Sequence, residues 1–138
     1  MNGTAPNFFN FGANNFIRGR ISGTASLWSY WNINGTRTGV SATTPSTIDG
    51  KWHHYAFSFN KGIVKIYFDG LLKGTADHSS TGTVLKCEQI SNWGLGGFAP
   101  TGEKFLGNQS DFRVYCTALS DEAVLELYEG RPGVDKQG

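Results

Sequence analysis

The stretch WHHYAFSFNKGIVKIYFDGLLKGTA, residues 52–76, decides the fold of this chain. Two runs rich in aromatic and β-branched residues are separated by Asn60-Lys61-Gly62, and Asp69-Gly70 follows the second run. An Asp-Gly pair favours a two-residue hairpin because both of its positions must adopt positive φ angles. The stretch therefore predicts three antiparallel strands in a meander.

Side-chain alternation in this stretch predicts which positions form the core. Successive side chains of a strand point to opposite faces. In the second run Val64, Ile66 and Phe68 form an entirely apolar face, whereas Lys65 and Tyr67 point the other way. The first run is read as a strand from residue 52 to residue 59, in which the odd-numbered face carries His53, Tyr55, Phe57 and Phe59. We expect both runs to pack against a second sheet.

The same pattern of short apolar runs continues on both sides of the meander. Upstream, strands are predicted at Asn7–Phe11, Phe16–Ile21, Ser26–Ile33 and Thr36–Thr43. Asn34-Gly35 supplies a second hairpin turn between the last two of these. Downstream, strands are predicted at Gly82–Cys87, Gln89–Gly97 and Gly107–Tyr115. Turn residues recurring about every 8–12 positions are typical of an all-β protein, here an antiparallel two-sheet β-sandwich.

One segment near residues 120–129 follows the helical period instead. Ser120 suits an N-cap, and Asp121 and Glu122 suit the positive end of a helix dipole. Gly130 can end the helix. An apolar stripe is formed by Val124, Leu125, Leu127 and Tyr128. Because so short a helix is not stable alone, we expect it to dock on the sheets.

Composition narrows the range of functions. The 138 residues are enough for one domain, and 14% of them are aromatic while 17% are charged, which argues against disorder. The formal net charge is +1 and the charges are dispersed, so we expect no nucleic-acid partner. We find no apolar run of about 18 residues and no signal-peptide pattern at the start of this sequence. Membrane insertion is therefore not expected.

Two strings resemble a known family. The first is DGKWHHYA at residues 49–56, followed by YFDG at 67–70; the second is GNQSDFRVY at 107–115, followed by ALSDE at 118–122. Together they resemble the laminin G-like domains of the concanavalin A-like lectin/glucanase jelly rolls, over most of the chain from about Ile21 to Tyr128. The resemblance implies a jelly-roll sandwich. The closing motif, Asp111 to Leu127, is similar to copies found in bacterial surface proteins and in phage tail or fibre proteins.

The resemblance also implies a domain arrangement. Members of the family usually begin with strands that have no evident counterpart ahead of Phe8. We therefore expect one domain over residues 1–130 that lacks the usual first strands, and a tail or linker over residues 131–138. Either the chain is a piece of a longer protein or a partner chain covers the exposed sheet edge. The first alternative is favoured because an uncovered edge promotes aggregation.

Catalysis is not expected. The glucanases of this superfamily resemble one another in placing acidic residues along one strand, and retaining hydrolysis needs two carboxyl groups about 5 Å apart. No strand here has that pattern, since the glutamates lie on the predicted helix (Glu122, Glu126, Glu129) or are isolated (Glu88, Glu103). His53 and His54 are adjacent on a strand and face opposite ways, so they cannot share a ligand. We interpret them as part of the scaffold.

Metal binding and disulfide bonding are left open. No cofactor is predicted, although the resemblance makes Ca²⁺ possible, with Asp77 and Asp111 as candidates by residue type alone. These two lack the spacing of a calcium loop. Cys87 and Cys116 do not form a CxxC or zinc pattern. Two buried, reduced thiols are the favoured interpretation, and a single disulfide is the alternative.

The candidate binding residues are Trp28, Tyr30, Trp31, Asn32 and Trp93. Carbohydrate sites combine aromatic platforms, which cover the apolar faces of sugars, with polar donors and acceptors. Alternation puts Trp28 and Tyr30 on one face of a strand and Trp31 on the other. One face must belong to the core, so only part of the cluster can meet a ligand. Core packing of all these aromatic residues is the favoured alternative.

These observations lead to two hypotheses. The first is a non-catalytic recognition module that binds glycans on a cell surface, as part of a larger phage tail or fibre protein or a bacterial surface protein. Its partners would be a glycan or cell-surface receptor and other chains of the assembly, on a virion surface or outside the cell. The second is a structural module for adhesion or assembly through protein–protein contacts, without a sugar site. Exposure of the aromatic residues distinguishes the two.

Overall fold

The computed structural model describes residues 7–12, 16–23, 25–33, 35–46, 49–81, 93–96, 105 and 107–130. Over these residues the chain forms two antiparallel sheets, a 3-10 turn at Ser79–Thr81 and one α-helix. The strands are β1 (Asn7–Gly12), β2 (Phe16–Ile21), β3 (Ser26–Ile33), β4 (Thr36–Thr43), β5 (Tyr55–Asn60), β6 (Ile63–Phe68), β7 (Leu71–Asp77) and β8 (Trp93–Leu95). The helix α1 spans Asp121–Glu129. The predicted two-sheet β-sandwich is confirmed.

The first sheet contains five strands in the order β4-β3-β2-β1-β8. All four upstream strands predicted from the sequence are confirmed, and the first extends one residue further, to Gly12. Pairing of Ile33 with Thr36 confirms the hairpin between β3 and β4, and Gly35 adopts the positive φ of 83° that the turn requires. Asn34 lies outside the described residues.

The second sheet contains the predicted meander, β5-β6-β7. Its tight turn has positive φ at both central positions, 49° at Asp69 and 79° at Gly70, as an Asp-Gly hairpin requires. The first strand of the meander, β5, begins later than predicted, at Tyr55 and not at Trp52. Residues 52–54 precede the ladder, and His54 is joined to the β6–β7 turn by two hydrogen bonds: the Asp69 carboxylate accepts one from the backbone N–H of His54, at 2.9 Å, and the backbone N–H of Asp69 donates one to the His54 carbonyl, at 2.8 Å.

The core lies between the two sheets. The predicted apolar face of β6 is confirmed, with Val64, Ile66 and Phe68 at most 3% exposed. Phe57 and Phe59 of β5 pack against this core from the same sheet, and Trp31 faces it from the first sheet. Gly19 lies where a β-carbon would come within 2.5 Å of the Phe9 ring. The absence of a side chain at Gly19 lets the Phe9 and Phe57 rings pack directly against the backbone of β2.

The predicted helix is confirmed together with its caps. The Ser120 hydroxyl accepts a hydrogen bond from the backbone N–H of Ala123, at 3.1 Å, and Gly130 ends the helix in the left-handed conformation. Val124 is buried, at 2% exposure. Asp121 reaches the outer face of the second sheet, where its carboxylate accepts hydrogen bonds from Lys65 and Tyr67 of β6. The helix is therefore docked on the sheet, as its shortness requires.

The downstream predictions are only partly realised. Residues 82–92 and 97–104 lie outside the described part of the chain, as does the predicted tail at 131–138, so Gly82–Cys87 cannot be placed. Within the predicted strand Gln89–Gly97, β8 covers Trp93–Leu95. The predicted strand Gly107–Tyr115 is wrong: these residues are exposed and irregular. Asp111 has a φ of 54°, which breaks the extended conformation, and its carboxylate binds Arg113 two residues later.

The cysteine prediction also needs correction. Cys116 follows the irregular segment and is exposed, with a free thiol, where a buried position was expected. The prediction relied on the number and spacing of the two cysteines, which do not show whether a cysteine lies in the core. Cys87 lies outside the described residues.

Candidate functional site

The outer face of the first sheet, turned away from the core, gathers aromatic and cationic side chains. Phe16, Arg18 and Arg20 alternate along β2 with the core residues Ile17 and Ile21. Antiparallel pairing sets Arg18 opposite Tyr30 and Arg20 opposite Trp28. These five side chains, named here the aromatic–arginine face, are Phe16, Arg18, Arg20, Trp28 and Tyr30.

Both guanidinium groups lie close to aromatic rings. The Cζ atom of Arg18 is 4.2 Å from the centre of the Phe16 ring and 5.9 Å from that of Tyr30. The Cζ atom of Arg20 is 5.2 Å from the Tyr30 ring and 5.9 Å from the Trp28 ring. Within about 6 Å a cation is attracted by the negative face of such a ring. The rings thus hold the two arginines in place on the sheet.

The two aromatic residues of β3 differ in exposure. Trp28 is 38% exposed, whereas Tyr30 is only 5% exposed beneath its neighbours. Gly39 of β4, directly opposite Tyr30, leaves the space that this tyrosine needs, since a β-carbon there would lie 2.7 Å from the Tyr30 Cβ. The result is an indole accessible from solvent beside a tyrosine held rigidly within the sheet.

Arg18 and Arg20 make different polar contacts. Arg18 donates a hydrogen bond through Nε to the side-chain oxygen of buried Asn10. Arg20 reaches the Tyr30 hydroxyl only through Nη1, at 3.5 Å, and its buried Nε has no hydrogen-bond partner. Among the described residues no carboxylate pairs with Arg20. One cation of this face is therefore held in place without a counter-charge.

The structure separates the residues predicted as carbohydrate-binding. Trp28 and Tyr30 share the outer face, and half-buried Asn32 follows them on the same side of β3, opposite Phe16. Trp31 is 3% exposed in the core, with its ring packed against Phe59 at 6.0 Å. It is therefore turned away from any ligand on the outer face.

Trp93, the fifth predicted residue, begins β8, which is the edge strand beyond β1 and is not next to β3. Its backbone pairs with Phe11 of β1. Its side chain lies outside the described part of the molecule. Sequence reasoning missed the contribution of β2, Arg18 and Arg20 above all. The signal was present in the alternation FIRGRI, whose polar positions must face those of the next antiparallel strand.

A second polar cluster surrounds His53. Its Nδ1 contacts Asp69 Oδ2 and its Nε2 contacts Asp49 Oδ1, both at 2.9 Å. Burial acts to lower the pKa of His53, but the hydrogen bonds with Asp69 and then Asp49 outweigh it, so that the pKa is raised. Both ring nitrogens are occupied by carboxylates that join the segment before β5 to the β6–β7 turn. The interpretation of the His-His pair as scaffold agrees with this geometry.

Metal ligands do not converge in the part of the chain that the structure describes, where no group of three or more His, Cys, Asp or Glu side chains could hold an ion. The Asp77 carboxylate accepts hydrogen bonds from the backbone N–H and hydroxyl of Ser79, at 2.8 and 2.5 Å. Asp111 forms a two-point pair with Arg113, at 2.8 and 2.9 Å. Both carboxylates are therefore engaged by neighbouring residues of the chain.

Apolar side chains are exposed near the irregular segment. Leu95, Phe112, Val114 and Tyr115 are each between 44% and 54% exposed. The Phe112 ring reaches the end of β1, 6.0 Å from the Phe11 ring. Scattered exposure is normal for single residues, but a local group of this kind is typical of a contact surface.

No helix among the described elements is long and apolar enough to cross a membrane.

Comparison with known proteins gives consistent similarity. A laminin G family model described as "Concanavalin A-like lectin/glucanases superfamily" matches residues 1–125. Usherin of Mus musculus is 27% identical over 118 residues, and usherin of Rattus norvegicus is 29% identical over 113 residues. Each match covers 80% of this chain and 2% of the usherin, so the chain spans about 2% of the length of these curated relatives.

A solved structure is also similar. It is an S-layer domain-containing protein of Clostridium thermocellum ATCC 27405, at 17% sequence identity and a TM-score of 0.43. The match covers 93% of this chain and 65% of that chain.

Proposed function

Since the chain belongs to the laminin G-like family of the concanavalin A-like lectin/glucanase superfamily, we propose that it is a non-catalytic recognition module that binds glycans through its aromatic–arginine face. Laminin G-like domains are generally binding modules, which supports recognition over catalysis. The glycan as ligand is supported by the side chains that this face offers.

The observation that carries the proposal is the position of Trp28. Its indole is 38% exposed on a rigid sheet, with Tyr30 buried beside it and Arg20 between them. An exposed indole covers the apolar C–H face of a sugar ring, while neighbouring N–H and O–H groups hydrogen-bond its hydroxyls. An open sheet face of this kind suits weak binding to one sugar unit, strengthened by several copies of the module.

The arrangement of carboxylates supports a role without catalysis. Glu122, Glu126 and Glu129 lie together on α1, and no strand in the described regions carries two acidic side chains on its outer face beside Trp28. Glycosidases need two such carboxyl groups across the scissile bond. We expect the chain to bind saccharides without hydrolysing them.

The proposed setting is the surface of a cell or virion, within a larger phage tail or fibre protein or a bacterial surface protein. The resemblance of the segment from Asp111 to Leu127 to copies in such proteins supports this by association alone. The partners would be a surface glycan or receptor and the other chains of that assembly.

A glycan array tests the proposal. We compare the wild type with Trp28→Ala, and use Trp52→Ala as the matched control because Trp52 is 68% exposed but lies in the segment before β5. Loss of an aromatic platform worth about 1.5 kcal/mol should weaken binding roughly tenfold. Trp52→Ala should bind as the wild type does. Equal binding by all three proteins, or no binding by the wild type, would contradict the proposal.

Assembly through protein contacts is the second candidate, favoured by the exposed apolar side chains of the irregular segment. Val114 and Tyr115 are 50% and 44% exposed. If this surface joins copies of the chain, sedimentation should show self-association that the double variant Val114→Ser/Tyr115→Ser abolishes. A monomeric wild type at high concentration would remove this candidate for self-assembly.

A further inference from the structure

We propose that Arg20 forms a subsite for a carboxylate, so that the preferred ligand is an acidic saccharide carrying a uronate-type group beside an apolar sugar face. This inference rests on the proposed glycan function and names the class of sugar. It is carried by the charge, contacts and surroundings of Arg20.

The first step is the missing counter-charge. Two other partly exposed cations in the described regions are paired with carboxylates: Lys65 with Asp121 at 2.7 Å, and Arg113 with Asp111 at 2.8 Å. Exposed lysines such as Lys51, Lys61 and Lys73 are solvated by water and need no such partner. His53 lies between two carboxylates. Half-buried Arg20 has no such partner within the same regions. Cations withdrawn from water are usually paired, so an unpaired one invites an anion from outside.

The second step is the free edge of the guanidinium. Nη1 is directed to the Tyr30 hydroxyl through a long contact of 3.5 Å. The opposite edge consists of Nε and Nη2. Nε is buried without a partner, and no hydrogen bond of Nη2 occurs among the described residues. A carboxylate binds two parallel N–H groups of such an edge. It would bind at Nη2, and the unpartnered Nε lies next to Nη2 on the same edge.

The third step is the neighbouring platform. The Trp28 ring centre lies 5.9 Å from the Arg20 Cζ, and the indole is partly exposed. An acidic sugar presents an apolar ring face and a carboxylate that are one bond apart. It can therefore cover Trp28 and meet the Arg20 edge together, whereas a flexible acidic peptide matches only the charge. This juxtaposition favours a saccharide as the source of the carboxylate.

The experiment compares an acid with its neutral form. We titrate the full chain with trigalacturonic acid and with its methyl ester, and follow binding by calorimetry and by the Nε–H signal of Arg20 in ¹⁵N NMR spectra. The acid should bind at least tenfold more tightly than the ester and move the Arg20 signal. In Arg20→Gln this preference for the acid over the ester should fall to about twofold or less. Arg113→Gln, which alters an arginine outside the face, should keep the full preference.

A second variant and further probes separate the outcomes. Arg20→Lys keeps the charge but loses the two-point edge, and should retain only part of the preference. A sulfated galactose trisaccharide tests sulfate as the other source of an oxyanion, and pentaglutamate tests an acidic peptide. If either binds more tightly than trigalacturonic acid, the assignment to a uronate is wrong.

Failure of this inference and failure of the proposed function look different. If the ester binds as tightly as the acid, the carboxylate subsite is wrong, while glycan binding stands. If neither trisaccharide binds but sodium glucuronate moves the Arg20 Nε–H signal, the anion subsite stands and glycan binding through Trp28 is wrong. If the trisaccharides do not bind and the signal does not move, both are overturned.

Discussion

The outer faces of the two sheets carry the same pair of groups, a tyrosine beside a cation, but the two pairs differ in their hydrogen-bond partners. On the second sheet, Lys65 and Tyr67 both donate to the Asp121 carboxylate of α1, at 2.7 Å each. On the first sheet, Arg20 meets the Tyr30 hydroxyl at 3.5 Å, and no carboxylate in the described regions pairs with Arg20. A carboxylate of the helix neutralises the cation of the first pair, whereas Arg20 has no carboxylate partner in the described regions.

The difference separates a structural joint from a candidate binding surface. Tyr67 is fully buried, and burial together with its hydrogen bond to Asp121 raises the pKa of its hydroxyl. Its partners are thus all supplied by the chain itself. On the open face Trp28 remains 38% exposed beside an unneutralised arginine. We infer that the outer face of the second sheet contributes to stability, whereas the outer face of the first sheet is the candidate surface for ligand binding.

The largest expected effect comes from breaking the joint at Val124. This side chain is 2% exposed and is the buried residue of α1. Val124→Asp would place an uncompensated charge there, and such substitutions cost about 3–5 kcal/mol. Urea unfolding followed by circular dichroism should show a loss of that size. Glu122→Gln, an exposed change on the same helix, should cost less than about 0.5 kcal/mol.

A loss below about 1 kcal/mol for Val124→Asp would show that the helix is only loosely attached. The joint would then not distinguish the two faces, and the comparison would fail. If Val124→Asp remains folded, its affinity for any glycan that binds the wild type should be unchanged, because the open face belongs to the other sheet.

A smaller effect comes from removing charge on each face in turn. Asp121→Asn takes away the anion that receives both Lys65 and Tyr67, and should cost about 1–2 kcal/mol because hydrogen bonds to a charged group are lost on a partly exposed surface. Arg20→Met keeps the apolar stem and its contact with the rings. It removes a half-buried charge that lacks a carboxylate, so stability should stay within about 0.5 kcal/mol of the wild type.

The two variants should also differ in their affinity for acidic sugars. Arg20→Met should lose affinity for acidic sugars, and Asp121→Asn should keep it. Equal destabilisation by both substitutions would mean that Arg20 has a structural role like that of Lys65, and the distinction between the faces would be wrong.

Most of the fold could be predicted because local chemistry and tertiary packing agree. The alternation in β6 and the Asp69-Gly70 turn each specify the same meander, and Ser120 and Gly130 mark the ends of the helix. The failure at residues 107–115 has a physical cause. Alternation describes side chains, but a strand also needs backbone partners, which a single segment cannot reveal. In the structure Asp111 instead turns to a positive φ and binds Arg113 locally.

The candidate site was predictable only in part, for a similar reason. Alternation correctly separated Trp28 and Tyr30 from Trp31, but a strand alone does not show which of its faces meets the core. That depends on the neighbouring strand. Once β2 is paired with β3, Ile17 shares the buried side with Trp31, and Arg20 is set beside Trp28. The charged half of the site arises from register between strands.

The smallest expected effect is a pH dependence that extends the comparison to a third cation, on the side of the second sheet. His53 is held between Asp69 and Asp49, and its pKa is raised even though burial opposes this. Its contribution to stability is complete below the unfolded pKa of about 6.5 and is lost as the pH rises through the raised folded value. His54 has the opposite sign, because burial lowers its pKa. Its contribution is present above pH 6.5 and is lost as the pH falls.

The destabilisation caused by substituting each histidine singly should therefore depend on pH in opposite directions for His53 and His54. His53→Gln should lower the free energy of unfolding by on the order of 0.5 kcal/mol near pH 5.5, as for an ion pair near the surface, and by less near pH 8. The melting temperature should therefore fall most near pH 5.5. His54→Gln should be most destabilising near pH 8. Parallel pH profiles for the two variants would contradict this, and would mean that the carboxylates of Asp49 and Asp69 do not hold a charged His53. The contrast between a cation paired with carboxylates and one without them would then hold for Lys65 and Arg20 but would not extend to His53.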